Sequence, residues 1–566
     1  MAKKVFYDED ARRRVLGGAK LLYEAVKTTM GPKGRNVVLS KSYGAPTVTH
    51  DGVTVAKGVE IADVDDETLG YKVGAELIKE AASKMNDAAG DGTTTVTVLT
   101  YHILNEANKL IAAGHNPMQL RKGLEQAASD VIAQLEKMSE AITGKSERVA
   151  EVATISAGDN EIGKLIADVM EKVGKDGVVT VEEGQGLSLE SEVVEGFTFD
   201  RGFVSPYMVT DAARMEAAFT KPAIVITDKK ISSIQEISGL MEQLVQAGKK
   251  DMVLIAEDVE GDALTMLVLN KLKGVFNTVA VKAPSFGDRR KEILQDIATL
   301  TGATVISEEQ GYSFETVDIS VVGSARKVIV NKDGTTIIEG VGKSTDIKGR
   351  MANIDAQIKA TTSKYDRGEL SKRKAALGGK VAVIKVGGAS ETEIEEKKYR
   401  VDDAVAAVKA AMTEGVVPGG GVTLVNLSKS IKIPSINVTK ERSGITTTIP
   451  GFAFDSDVEY TAGYHILKIA LVQPFVQIME NAGVNAQEKL AQVLNSDRNG
   501  YGYNVNDPFT LVEMSKQGIV DPVLVTKQAV QNAVSIAGTS MTMGALVVDV
   551  PEPKAPVGAG PMGLDM

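Results

Sequence analysis

Three glycine-rich segments carry the residue types that could hold a phosphorylated ligand. They are Thr28–Arg35 (TTMGPKGR), Asp87–Thr95 (DAAGDGTTT) and Gly415–Gly421 (GVVPGGG). Glycine lets backbone N–H groups approach an anion closely. In the second segment Thr93, Thr94 and Thr95 follow Asp91-Gly92 where a helical pattern begins. A helix N-terminus offers unpaired N–H groups and the positive end of its dipole, and the hydroxyls add donors. A carboxylate such as Asp91 cannot face phosphate bare, so the pattern implies a bridging Mg²⁺. Taken singly, each segment also reads as a helix cap and a turn, because Gly and Asp mark turns generally. The pattern GxxxxGK[ST] is absent, which disfavours a Walker-type NTPase. Two further acids matter: Asp51 in Thr49-His50-Asp51-Gly52 and Asp403 in Arg400-Val401-Asp402-Asp403-Ala404. Phosphoryl hydrolysis needs a carboxylate that orients water. On residue type alone, a solvated surface acid is the plainer reading of Asp403.

Composition excludes several other chemistries. The 566 residues contain no Cys, so disulfides, thiolate metal sites and a Cys nucleophile are ruled out. The four His are too scattered to suggest a local zinc site. Aromatics are 4 % with no Trp, which disfavours stacking on bases or sugars as the main activity. The net charge of −11 argues against nucleic acid as a partner. The N-terminal segment lacks an apolar h-region, so no signal or transit peptide is expected. The longest uncharged stretch, Gln528–Val548, is broken by Gln, Asn, Ser and Thr and reads as a helix followed by a strand, not a membrane span. A Cys-free chain fits a reducing compartment, so a cytoplasmic location is expected.

The elements that must position these residues fall into three stretches. Helices are expected over Ala11–Met30, Leu69–Asn86, Thr93–Ala113 and Pro117–Met138, with a hairpin in the β-branched run between the first two. From about Gly196 strands alternate with helices. The strands are Ala223–Thr227, Met252–Ala256, Thr278–Lys282 and Thr304–Ser307; the helices are Ser233–Ala247, Gly261–Lys273 and Asp288–Thr301. This alternation implies a sheet covered by helices. Two of those helices have apolar positions, Ile234, Ile237, Leu240, Met241 and Leu244 on one and Leu264, Leu267, Val268, Leu269 and Leu272 on the other. Such a face either buries against the sheet or remains exposed for other chains. Lys348–Leu377 reads as charged helix with few turn signals, ending at a Gly378-Gly379 hinge. Helical character returns after Gly415, which suggests that the two ends build one domain and the middle is inserted. The Pro/Gly-rich tail after Asp549 is expected to be disordered.

The segments TTMGPKGRNV, APTVTHDGVTVAK, NDAAGDGTTTVTVL, VVEGFTFDRGFVSPY, IAEDVEGDAL, VKAPSFGDRRKEILQDIATLTGATVISEE, RVDDAVAAVKAAMTEGVVPGGGV, YGYN and GIVDP, in this order, strongly resemble the group I chaperonins, the GroEL family. The resemblance implies a multidomain chaperonin fold. It comprises a mostly α-helical equatorial domain (1–137 and 414–566), a small α/β intermediate domain (138–194 and 382–413) and an α/β apical domain (195–381). It implies an ATP-dependent chaperone, a homo-oligomer of one or two seven-membered rings, that encloses non-native polypeptides under a ten-kilodalton co-chaperonin lid. ATP and Mg²⁺ are the implied cofactors, with K⁺ a further candidate; no nucleic acid or membrane partner is implied.

Carried over by resemblance, Thr29, Met30, Gly31 and Pro32 line the nucleotide, and Asp91 binds Mg²⁺. Gly92, Thr93, Thr94 and Thr95 hold phosphates, and Gly420, Asn504 and Asp521 match the adenosine side. Asp403 acts on the attacking water with Asp51 nearby. Phe203, Tyr207, Met241, Leu264, Val268 and Leu269 match positions that bind substrate and lid.

The chain also departs from the family. His50 stands where most members have Lys near the phosphates, and Phe203 and Met208 replace a Tyr and a Phe on the apical rim. Val476 and Asn485 stand where an Arg and a Glu bridge two rings, and the stretch Ile431–Tyr464, with Phe452 and Phe454, is about 20 residues longer than the family pattern. A scaffold or moonlighting protein with residual ATP binding is the competing reading.

Overall fold

The two ends of the chain meet in one antiparallel pair, Lys3–Tyr7 beside Ala545–Asp549, with Lys3 opposite Asp549 and Tyr7 opposite Ala545. Phe6, Leu546 and Val548 turn inward from this ribbon. The Arg14 guanidinium lies 3.8 Å from the centre of the Phe6 ring and donates to the Asp66 and Leu69 carbonyls at 2.7 and 2.9 Å. In this computed structural model the described residues are 3–40, 46–62, 66–174, 177–184, 186–212, 214–361, 363–434, 437–442, 445–450 and 455–550. The C-terminal tail, Phe452 and Phe454 lie outside them.

The chain folds as two units. The first comprises Met1–Asp168, Glu183–Leu189 and Val386–Met566; the second comprises Val169–Glu182 and Glu190–Lys385.

The first unit opens with helices α1 (Asp8–Val26), α2 (Gly52–Gly58), α3 (Tyr71–Ala89), α4 (Thr93–Ala112), α5 (Pro117–Lys137) and α6 (Ser146–Ala157). Val37–Leu39 and Thr47–Thr49 form the expected hairpin before α2. Local signals explain the starts: Asn116 accepts the Met118 N–H and Pro117 fills the first position of α5. The core gathers Leu22 and Val26 of α1, Ile78 and Met85 of α3, Leu99 and Ile103 of α4 and Leu124 of α5. Some crossings are too close for any side chain: a Cβ on Gly74 of α3 would lie 1.9 Å from the Val15 carbonyl oxygen. α7 (Asn160–Val173) carries the chain into the second unit.

The second unit is built on one large sheet. In spatial order its strands are Asn277–Lys282, Asp251–Ala256, Ala223–Thr227, Gly323–Val330, Thr335–Gly340, Glu190–Phe199, Lys380–Val386 and Val178–Glu183. The first three are parallel, as the strand–helix alternation demands. Helices α8 (Gln235–Gln246), α9 (Gly261–Leu272) and α10 (Gly287–Thr301) connect strands of this sheet. The single charged helix expected over Lys348–Leu377 is instead two, α11 (Ser344–Ala360) and α12 (Lys364–Leu377). The break has a local cause: Ser363 takes extended backbone and caps α12 by accepting the Asp366 N–H at 3.2 Å. Asp296 of α10, fully buried, holds both helices. Arg350 Nε donates to it at 2.6 Å, and Arg373 Nε and Nη2 donate at 2.8 and 3.0 Å.

The chain then returns to the first unit through α13 (Glu391–Glu414), α14 (Val422–Ser430), α15 (Asp455–Leu471), α16 (Gln473–Asn481), α17 (Ala486–Asn495) and α18 (Val523–Met541). α18 and the strand Ala545–Asp549 are the helix and strand expected from Gln528–Val548. The long stretch 431–464 forms a hairpin of Asn437–Arg442 with Ile445–Pro450. Val476 is buried in the core of α16 and α17, and Asn485 caps α17 by accepting the Glu488 N–H at 3.2 Å.

Candidate nucleotide site and apolar face

The first unit brings its three glycine-rich segments together around the N-terminus of α4. Gly90 and Gly92 both take left-handed backbone (φ 67° and 80°), which turns the chain sharply on either side of Asp91. The Asp91 carboxylate accepts the Gly92 N–H at 2.5 Å and the Ser156 hydroxyl at 3.2 Å. Burial raises its pKa and the Asp51 charge adds to the rise, while those two hydrogen bonds oppose it.

Asp51 caps α2, accepting the Val53 and Thr54 N–H groups at 3.1 and 2.8 Å and the Thr54 hydroxyl at 2.6 Å. Gly52, next to it, lies against the start of α4. A Cβ there would sit 2.4 Å from Thr94 Oγ1 and 2.8 Å from Thr93 Oγ1. The first glycine-rich segment joins the same place, with Thr29 Oγ1 3.0 Å from Thr94 Oγ1. Met30 is buried, Gly31 has φ 79°, and Pro32 is exposed at the edge of the turn. Thr95 is partly exposed on the first turn of α4.

The third segment enters through a short antiparallel pair, Val416–Pro418 with Val520–Pro522, which sets Asp521 opposite Val417. The Gly420 and Gly421 N–H groups donate to Asp521. Burial nevertheless pushes this carboxyl up to about 7, and the charge on Asp91 adds to the effect. Asn504 ends the strand Tyr501–Asn504, whose Gly502 packs directly on Val422, the first residue of α14.

α13 supplies the remaining acid. Its Ala406 meets Gly90 so closely that a Cβ on the glycine would lie 2.4 Å away. Glu396 and Arg400, lower on the helix, act electrostatically on His50. Asp403 lies on α13 between Arg400 and Ala406, about one turn from each. α13 packs on the strand Thr47–Thr49 and on α3, which ends at the turn before Asp91. His50 is partly buried, and burial lowers its pKa from the ordinary value.

Two carboxylates within electrostatic reach, each raised by burial, suit a divalent cation. Among the described residues no three His, Asp or Glu side chains could hold a metal ion together. Mg²⁺ needs no such cage: it is ordinarily held by one or two carboxylates together with phosphate oxygens and water. Asp91 is the residue that would hold it, and the ion would screen phosphate charge there.

The family model of the TCP-1/cpn60 chaperonins matches residues 22–551. The chain belongs to this family. The match spans all three glycine-rich segments and the whole of the second unit of the chaperonin.

That second unit keeps part of its apolar surface in the open. On α9, Ala263 and Leu267 are buried against the sheet, Leu264 and Val268 are half-buried, and Leu269 and Leu272 are exposed. The turn Pro206–Met208 lies beside α9, held by Lys271 Nζ, which donates to the Tyr207 and Val209 carbonyls. Tyr207 is 68 % exposed there and Leu272 66 %, so the pair forms an apolar edge. Phe203 is half-buried, its N–H donating to the Asn331 carbonyl at 3.1 Å. Two expectations change. Met241 packs into the core of this unit with Ile237, Leu240 and Leu244, because all four lie on the sheet-facing side of α8. Met208, expected on the rim, is fully buried, and its sulfur accepts the Ala280 N–H at 3.2 Å.

Gly52, Ser156 and Asn481 also lie in this candidate cleft or behind it, and the sequence does not single them out for it. Gly52 had a signal, a glycine directly after a helix-capping Asp. Ser156 and Asn481 had none, since each reaches the cleft only through packing of distant segments. Among the described residues no helix is long and apolar enough to cross a membrane.

Proposed function

We propose that this chaperonin is an ATPase whose first unit binds Mg·ATP and whose second unit captures non-native polypeptides on the apolar edge of α9 and Tyr207. The proposal extends to seven-membered rings closed by a ten-kilodalton lid, with the equatorial, intermediate and apical divisions at the boundaries given above. The observation that carries it is the convergence of Thr29, Gly52, Asp91 and Thr93–Thr94 at one helix N-terminus, where Ala406 of α13, the helix that bears Asp403, meets Gly90. Backbone N–H groups and hydroxyls at the start of α4 would hold phosphates, and Asp521 with Asn504 would face the nucleoside. Asp403, with Asp51, would orient the attacking water. Positioning and electrostatics do most of the work in phosphoryl transfer, so a cleft of fixed donors with an acid placed to orient water suffices.

Asp403→Ala should retain ATP binding and lose at least about 100-fold in hydrolysis, the ordinary scale for a positioned acid–base group. A single-turnover assay reads this directly. Wild-type hydrolysis in the variant would remove Asp403 from the chemistry. A wild-type chain that binds ATP without turning it over would favour a scaffold instead.

A further inference from the structure

The turn that carries Thr29, Met30 and Gly31 is held from behind by a helix that none of the glycine-rich motifs includes. Asn481, the last residue of α16, donates through Nδ2 to both the Lys27 and the Met30 carbonyl oxygens, each at 2.9 Å. Its own carbonyl, Oδ1, accepts from Gln477 Nε2 at 2.9 Å. Gln477 is almost fully buried, and its Oε1 accepts from the Tyr23 hydroxyl at 3.4 Å. The Tyr23 hydroxyl in turn lies 3.2 Å from His102 Nε2. Each amide in this series therefore has one orientation: reversing Asn481 would set its oxygen against two carbonyls, and reversing Gln477 would set its oxygen against Asn481 Oδ1, two acceptors face to face. Ile478, between the two amides, packs within 3.2 Å of the Cβ position of Gly31.

We infer that Asn481 is a positioning residue for the nucleotide, fixing the Lys27–Gly31 turn so that Thr29 stays against Thr94 at the start of α4. A single amide bridges the carbonyls on both sides of Thr28-Thr29, so the segment between them cannot open without breaking two hydrogen bonds. The remaining face of the turn is tied by Thr29 Oγ1 to Thr94 Oγ1 and by the Arg35 N–H to the Thr28 carbonyl at 2.8 Å. With both sides fixed, the turn enters binding already in its bound shape and loses little freedom on meeting a ligand.

The inference rests on reading this cleft as an ATP site. Asn481→Asp keeps the shape of the side chain and the acceptor for Gln477, but replaces the donor with an oxygen facing two carbonyls. In the full-length protein it should raise the Kd for Mg·ATP about tenfold or more, with kcat at saturating ATP and Tm little changed. Asn481→Ala should give a smaller rise in the same direction, and Gln477→Met a smaller one still. If Asn481→Asp fails to fold, the other two variants decide. An unchanged Kd in Asn481→Ala and Gln477→Met, or a fall in Tm with no change in Kd, would overturn the inference and leave Asn481 a structural residue. Wild-type protein that does not bind Mg·ATP would overturn the site reading, and the inference with it.

Discussion

Each unit encloses acidic side chains, and the two treat them in opposite ways. In the second unit Asp296 is fully buried but receives Arg350 and Arg373, while Glu292 beside it takes a second bond from each. Its charge is answered within the protein. Among the described residues of the first unit, Asp91 and Asp521 receive N–H groups and a hydroxyl, and each is raised by burial and by a neighbouring acid. What is left unanswered there is negative charge. What is left unanswered in the second unit is apolar area, at Tyr207, Leu269 and Leu272. A group without its complement marks a place for a ligand, and a group with its complement marks structure. By that rule the first unit suits the cation and phosphates proposed for it, and the second the apolar chain proposed for it.

The strongest test removes the answered charge. Asp296→Ala leaves two arginines facing a cavity and should destabilise the second unit by about 3–5 kcal/mol, the scale for breaking a buried ion pair from one side. Thermal unfolding should show an early transition of that unit with the nucleotide site intact. A loss below about 1 kcal/mol would mean that water answers the arginines as well as Asp296 does.

The proposed capture face gives the next effect. Tyr207→Glu adds charge to the apolar edge, and Leu272→Ser removes apolar area from it. Each should weaken capture of an unfolded protein about tenfold or more, because a small loss per site is multiplied over a ring. ATP hydrolysis should survive. Unchanged capture in both variants would mean that the exposed leucines and Tyr207 are not the working surface.

Asp521 tests the unanswered charge. Its folded pKa lies at about 7, above the unfolded value of 3.8, so the folded chain holds the proton more tightly. The stability linked to this group is fully present below the unfolded pKa and is lost as pH rises through about 7. Asp521→Asn should flatten that slope in the nucleotide-free protein. A bound Mg²⁺ favours the charged form, so Mg·ATP binding near neutral pH should release up to about one proton per site. Calorimetry in buffers of different ionisation enthalpy measures it, and no proton release would place the cation away from this pair.

The smallest effect belongs to His50. Burial lowers its pKa, so the ring is neutral at pH 7 and gains charge only on stronger acidification. His50→Lys should tighten Mg·ATP binding by about threefold at pH 8, where the histidine carries no charge, and the gain should shrink toward pH 5. Equal affinities across that range would take residue 50 out of the phosphate surroundings.

Much of this was legible in the sequence because it depends on neighbours along the chain. Ala223–Thr227 reads as a strand from five consecutive residues, all buried in the structure. The start of α4 at Thr93 and the hairpin before α2 follow from local residue types in the same way. The failures share a cause. The resemblance puts Met241 and Met208 on the rim, their residue types suit either surface or core, and only packing in this unit sets them in the core. For Asp403, nothing in its own sequence shows that Ala406, one turn on, lies against Gly90.

The sequence by itself determined the helices and strands, their caps and the chemistry available in each glycine-rich segment, since backbone preference and side-chain type act over a few residues. The tertiary structure alone decided that residues near positions 29, 52, 91, 403 and 521 share one cleft, and that Asn481 stands behind it. Those meetings span hundreds of residues. They exist because close-packed helices admit few arrangements, here ones in which Gly52, Gly74 and Gly90 let neighbouring segments approach closer than any Cβ would allow.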